Sequence, residues 1–149
     1  MRAHAGRSHL ASGGVLPREY ACLSDLPAVY VVEDDSSVAR SIFIMLELTG
    51  FGPRLFETAD DLLAALGSLA PGCLVIDLNL PGTNGLAALG ELRRRGIDWP
   101  ALMMTGERAG EIHAEATALG AATVLEKPFS TELFLGEVKR ALAPAALPV

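Results

Sequence analysis

Four short apolar runs, Val29–Val32, Cys73–Ile76, Ala101–Met104 and Thr123–Leu125, are spaced along this chain, and each leads into a stretch with helical periodicity. A weaker run at Pro53–Phe56 fits the same rhythm. Strand followed by helix, five times over, leaves few architectures open. Parallel neighbours need a crossover, crossovers are right-handed, and the sheet that results is covered by helices on both faces. The expectation is therefore an α/β protein with a five-stranded parallel, doubly wound (βα)5 sheet. The uniformly apolar first, third and fourth strands suit central positions buried on both faces.

The helical stretches have their own punctuation. The first is expected from Ser37 to Leu48, with Val38, Ile42, Met45 and Leu46 on one face and Gly50 as its stop. Thr58 can cap a second helix that carries Leu62, Leu63 and Leu66 and ends at Gly67. A third runs from Leu86 to Arg95 and stops at Gly96; a fourth covers Gly110–Leu119 and stops at Gly120. Ser130 or Thr131 opens the fifth, whose inner face is expected to carry Leu133, Phe134 and Val138.

One folded unit is expected over residues 27–142, preceded by a flexible N-terminal extension (1–26) and followed by a short tail (143–149). Half of the 149 residues are hydrophobic and the net charge is −6, an acidic balance that disfavours non-specific nucleic-acid binding. Cys22 and Cys73 have neither disulfide-framework nor zinc spacing, and Cys73 reads as a small apolar strand residue. No apolar run approaches the roughly 18 residues that span a bilayer, and no signal-peptide pattern opens the chain. Cytoplasmic location without a membrane partner is the expectation.

Chemistry gathers where the strands stop. In an open α/β sheet, sites form outside the carboxyl ends of the strands. The first run ends in Glu33-Asp34-Asp35, the third in Asp77 before a Pro-Gly loop, the fourth in Thr105-Gly106 and the fifth in Glu126-Lys127-Pro128. An acid cluster, one further Asp, one Thr and one of only two lysines would thus arrive at a single edge.

These residues resemble a known family. Val31-Val32-Glu33-Asp34-Asp35, Val75-Ile76-Asp77-Leu78-Asn79-Leu80-Pro81-Gly82-Thr83-Asn84-Gly85, Met104-Thr105-Gly106 and Glu126-Lys127-Pro128-Phe129 are similar to the response-regulator receiver domain of two-component signalling (CheY-like). The flavour is that of nitrogen-fixation-regulator receivers. The resemblance implies the flavodoxin-like strand order 2-1-3-4-5. It implies that Asp77 accepts a phosphoryl group from a histidine kinase or phosphotransfer protein. It further implies Mg²⁺ (or Mn²⁺) held by Asp34, Asp77 and the backbone carbonyl of Asn79, with Glu33 acting through water. Thr105 and Lys127 would sense the phosphoryl oxygens, Asn79 and Glu107 would tune its lifetime, and Lys127-Pro128 is a candidate cis peptide. Relatives usually carry an aromatic residue at the switch position, where this chain has Val124; that departure concerns the readout and leaves the chemistry intact.

The expected function is a stand-alone, single-domain response regulator, a signalling protein and not an enzyme in the ordinary sense. Its output would be contact with an unknown downstream protein or a homodimer, without nucleic acid. The alternative is a receiver-fold adaptor that works largely without phosphorylation. A flavin protein or Asp-nucleophile phosphatase on the same fold fits poorly, because Thr105–Gly110 makes a poor flavin phosphate loop and Asp77-Leu78-Asn79 lacks a second acid. Other features have plainer readings. Arg93-Arg94-Arg95 is expected to be a solvated cationic helix end. His113, with Glu111 and Glu115, reads as exposed surface, His4 and His9 as unstructured, and Trp99 as packing at the start of the fourth strand.

Overall fold

The computed structural model describes residues 26–106 and 109–143. The expectations for the N-terminal extension with Cys22, His4 and His9, for Glu107, for the side chain of Glu111 and for most of the C-terminal tail lie outside the described residues. The elements are β1 (Ala28–Val32), α1 (Ser36–Thr49), β2 (Gly52–Phe56), α2 (Ala59–Ala65), β3 (Cys73–Asp77), α3 (Gly85–Arg94), β4 (Ala101–Thr105), α4 (Ala109–Ala118), β5 (Thr123–Glu126) and α5 (Thr131–Leu142). All strand pairs are parallel and the order is β2-β1-β3-β4-β5, as the repeated βα pattern and the resemblance imply.

Strand alternation divides the core in two. Tyr30, Val32, Leu74, Ile76, Ala101 and Met103 point to the face covered by α2, α3 and α4, where they meet Leu62, Leu89, Leu92 and Ala116. Val29, Val31, Cys73, Val75, Leu102, Met104 and Leu125 point to the other face and meet Ile42 and Leu46 of α1 and Phe134 and Val138 of α5. β3 and β4 are buried along their whole length, which is why they read as continuous apolar runs. Trp99 packs against Tyr30, with ring centroids 5.6 Å apart, in the first of these layers.

Three local expectations change. Leu133 is not on the inner face of α5 but 48% exposed. At 100° per residue it sits well off the stripe formed by Phe134 and Val138. α2 ends at Ala65, and a single 3₁₀ turn, Leu66–Ser68, carries the chain through Gly67. Arg93 is not a solvated cation. Its guanidinium donates to the carbonyls of Leu119, Ile97, Trp99 and Gly120 at 2.8–3.1 Å, pinning the end of α4 to the end of α3. Arg94 and Arg95 behave as expected of a helix end, both pairing with Glu91.

Candidate functional site

Register brings the polar strand ends together. Val32 lies beside Ile76, so Glu33 and Asp77 are the next residues outward on adjacent strands. Asp77 pairs with Met104, one residue before Thr105, and Thr105 pairs with Glu126, one before Lys127. Glu33 N–H donates to the Phe56 carbonyl (3.1 Å) and Lys127 N–H to the Thr105 carbonyl (2.7 Å), so the backbone ladder continues just past the strands and holds these residues at the edge.

Asp77 is 4% exposed at the end of the central strand. Its Oδ1 accepts from the Asn79 N–H at 2.9 Å, and its Oδ2 is 3.0 Å from Lys127 Nζ. Lys127 Nζ also reaches Glu33 Oε1 at 2.8 Å, while Glu33 Oε2 accepts from the Asp35 N–H at 3.2 Å. One ammonium therefore bridges two buried carboxylates. Asp34 is exposed, yet its carboxylate comes within 4.8 Å of those of Glu33 and Asp77. Thr105 is fully buried at the end of β4. The Lys127-Pro128 peptide is cis. Val124 is half-buried and packs against the core layer beneath α2, α3 and α4.

Electrostatics follow from this burial. Desolvation pushes the Glu33 carboxyl above its ordinary value, and the charge of Asp77 adds to that, while Lys127 and the Asp35 N–H pull it back. Burial acts to lower Lys127, but its hydrogen bonds to Glu33 and Asp77 prevail and its pKa is raised. Lys127 thus stays charged at neutral pH.

Whether the residues suit a divalent cation can be judged from the donors. Three carboxylates converge, all hard oxygen ligands of the kind Mg²⁺ takes. Both oxygens of Glu33 are already engaged by Lys127 and Asp35, whereas Asp34 is open to solvent. The set fits a cation at the mouth of the site with Glu33 set back from it.

Two contributors were not singled out from the sequence. Asp35 caps α1, its Oδ1 accepting from Ser37 N (2.9 Å) and Val38 N (3.3 Å), and its own N–H orients Glu33. The signal was an acid directly before a helical run. Gly85 lies so close under β3 that a Cβ would overlap the Asp77 carbonyl oxygen and lie 2.8 Å from Leu78 Cα. A close approach of this kind has no sequence signal beyond the glycine itself.

The sequence profile of the response regulator receiver domain matches residues 29–139. The chain belongs to this receiver family. It is 35% identical over 117 residues to the transcriptional regulatory protein FixJ of Bradyrhizobium diazoefficiens, covering 78% of this chain and 57% of that protein. It is 34% identical to the DNA-binding transcriptional regulator NtrC of Salmonella typhimurium, over 77% of this chain and 24% of that one. The chain thus spans less than two thirds of the length of these curated relatives. Among solved structures, a crystal structure of FixJ-N superposes with a TM-score of 0.74 at 30% identity, covering 81% of this chain and 98% of that one. A receiver protein from Burkholderia phymatum superposes with 0.70 at 33% identity, covering 80% and 98%. As a receiver domain, the chain is a component of two-component signalling, in which aspartate phosphorylation, Mg²⁺ binding and contacts with histidine kinases and effectors are typical of the family. Among the described residues, no helix is long and apolar enough to cross a membrane.

Proposed function

We propose that Asp77 accepts a phosphoryl group from a phosphohistidine on a partner kinase or phosphotransfer protein, and that the resulting state is read by protein contacts. One observation carries this reading: a buried carboxylate at the end of the central strand, with an ammonium 3.0 Å away and two further acids converging on it.

The residues divide the work by geometry. Oδ1 of Asp77 is held by the backbone N–H of Asn79, whereas Oδ2 is held by a long side chain that can follow it. Oδ2 is therefore the oxygen suited to attack phosphorus, forming the O–P bond as the P–N bond of the donor breaks and its imidazole leaves. Lys127 then keeps its charge beside the transferred group and pairs with a phosphoryl oxygen, and Thr105, at the end of the adjacent strand β4, donates its hydroxyl to another. Glu33 holds Lys127 in position throughout. A bound Mg²⁺ or Mn²⁺, held by Asp34, Asp77 and the Asn79 carbonyl with Glu33 acting through water, would supply neutralisation of the charge on the phosphoryl oxygens. Val124 leaves no aromatic ring to swing, so the readout must travel through Thr105, Lys127 and the elements they end.

The test is incubation with acetyl phosphate and Mg²⁺, followed by intact mass measurement. Wild type should gain one phosphoryl mass, and Asp77→Asn none. An unmodified wild type, or equal labelling of the variant, overturns the assignment.

A further inference from the structure

We propose that the outer pole of α1 is a dimer interface, on which a second copy of this chain packs its own α1 antiparallel about a two-fold axis at Ile44. The helix that seals one core layer with Ala39, Ile42 and Leu46 should be polar on its opposite side. Instead Leu48 is 79% exposed and Ile44 44% exposed, one turn apart on that side.

What covers them is indicated by the charges beside them. Arg40 and Glu47 are both exposed, and among the described residues neither side chain has an ion-pair partner within the chain. Seven residues separate them, close to two full turns, so they lie along the same flank of the helix. A two-fold axis perpendicular to the helices preserves the flank and inverts the direction. With Ile44 meeting its own copy at the axis, Arg40 falls beside Glu47 of the second copy on one flank. On the other, Leu48 of the second copy falls over Ser41, an exposed residue small enough to leave room for it. Each of these off-axis contacts occurs twice. An apolar centre flanked by opposite charges at matched distances is complementary to itself, which an unrelated partner would have no reason to require.

The check is sedimentation equilibrium of the full, unphosphorylated chain from about 10 to about 500 µM, a range suited to a small interface. Wild type should show a concentration-dependent dimer, and Ile44→Glu should weaken it by at least about tenfold. Arg40→Glu and Glu47→Arg should each weaken it by about tenfold, since either one creates two like-charge contacts, and the double variant Arg40→Glu/Glu47→Arg should restore it. All these positions are solvent-facing, so folding is not at stake. A wild type that stays monomeric, a dimer indifferent to these changes, or a double variant that fails to recover would each overturn the proposal. No phosphorylation enters the measurement, so its outcome is independent of the role assigned to Asp77.

Discussion

Gly85 sits where no other residue fits, because the first turn of α3 presses against the backbone that carries Asp77. The site is thus shaped from below by a missing side chain as much as from above by charged ones. Cys73, at the opposite end of the same strand, shows the other consequence of tight packing. Burial pushes its thiol up to about 12 from the ordinary 9.0. A folded-state value above the unfolded one means that this contribution to stability is complete below about pH 9 and is lost as pH rises toward about 12. Unfolding free energies of wild type from urea titrations should therefore fall between about pH 9 and about pH 11 more steeply than those of Cys73→Ala, by a limiting slope of about 1.4 kcal/mol per pH unit. Lys127, also raised, titrates in both proteins, so the difference isolates the thiol. Parallel curves for the two proteins would show that Cys73 does not titrate in this way.

Among elements, strands were the most legible. β1, β3 and β4 are visible as apolar runs because both faces of a central parallel strand are buried, whereas the edge strand β5, with Leu125 buried, is marked by the Glu126-Lys127-Pro128 that ends it; the four ends name the site. Glu33, Asp77, Thr105 and Lys127 could be placed on one edge from strand ends alone, since register in a parallel sheet aligns those ends. Helix faces were less legible. Leu133 is apolar but exposed, because sequence shows which residues are apolar and not which way the helix is turned against its neighbours. The expectation that Arg93 faces solvent fails for a related reason. Its four partners belong to the α3–β4 and α4–β5 connections, 4 to 27 residues away, and no local pattern predicts that they converge. Two of those carbonyls, Leu119 and Gly120, close the end of α4, a helix whose described contribution to the buried core is Ala116. The clamp should therefore matter to stability more than an ordinary surface arginine. Arg93→Ala is expected to cost about 3 kcal/mol, the net worth of several hydrogen bonds from a charged donor, with loss of amide protection concentrated in α4. Lysine should recover less than half of that, because one ammonium cannot match a planar fork. A urea midpoint within error of wild type for Arg93→Ala would show that water replaces the clamp at no cost.

On the scale of the whole molecule, the balance of charge at the site decides how a divalent cation should act on folding. The chain carries a net charge of −6, and three carboxylates converge with one nearby ammonium to offset them. The unfolded chain has no such convergence, so a cation that binds the folded state selectively must stabilise it. At ten times its dissociation constant the gain is about 1.4 kcal/mol, which for a domain of this size raises the melting temperature by roughly 4 °C. General screening by salt would also relieve repulsion, so NaCl at matched ionic strength is the necessary comparison. Asp34 separates the two effects, since it is the exposed acid of the three and is not engaged by Lys127. Asp34→Asn should raise the melting temperature without metal, by removing a like charge, and should abolish the additional rise with Mg²⁺. If NaCl reproduces the rise, or if Asp34→Asn keeps it, the convergence of acids is not a cation site, and the repulsion there is balanced by Lys127 alone.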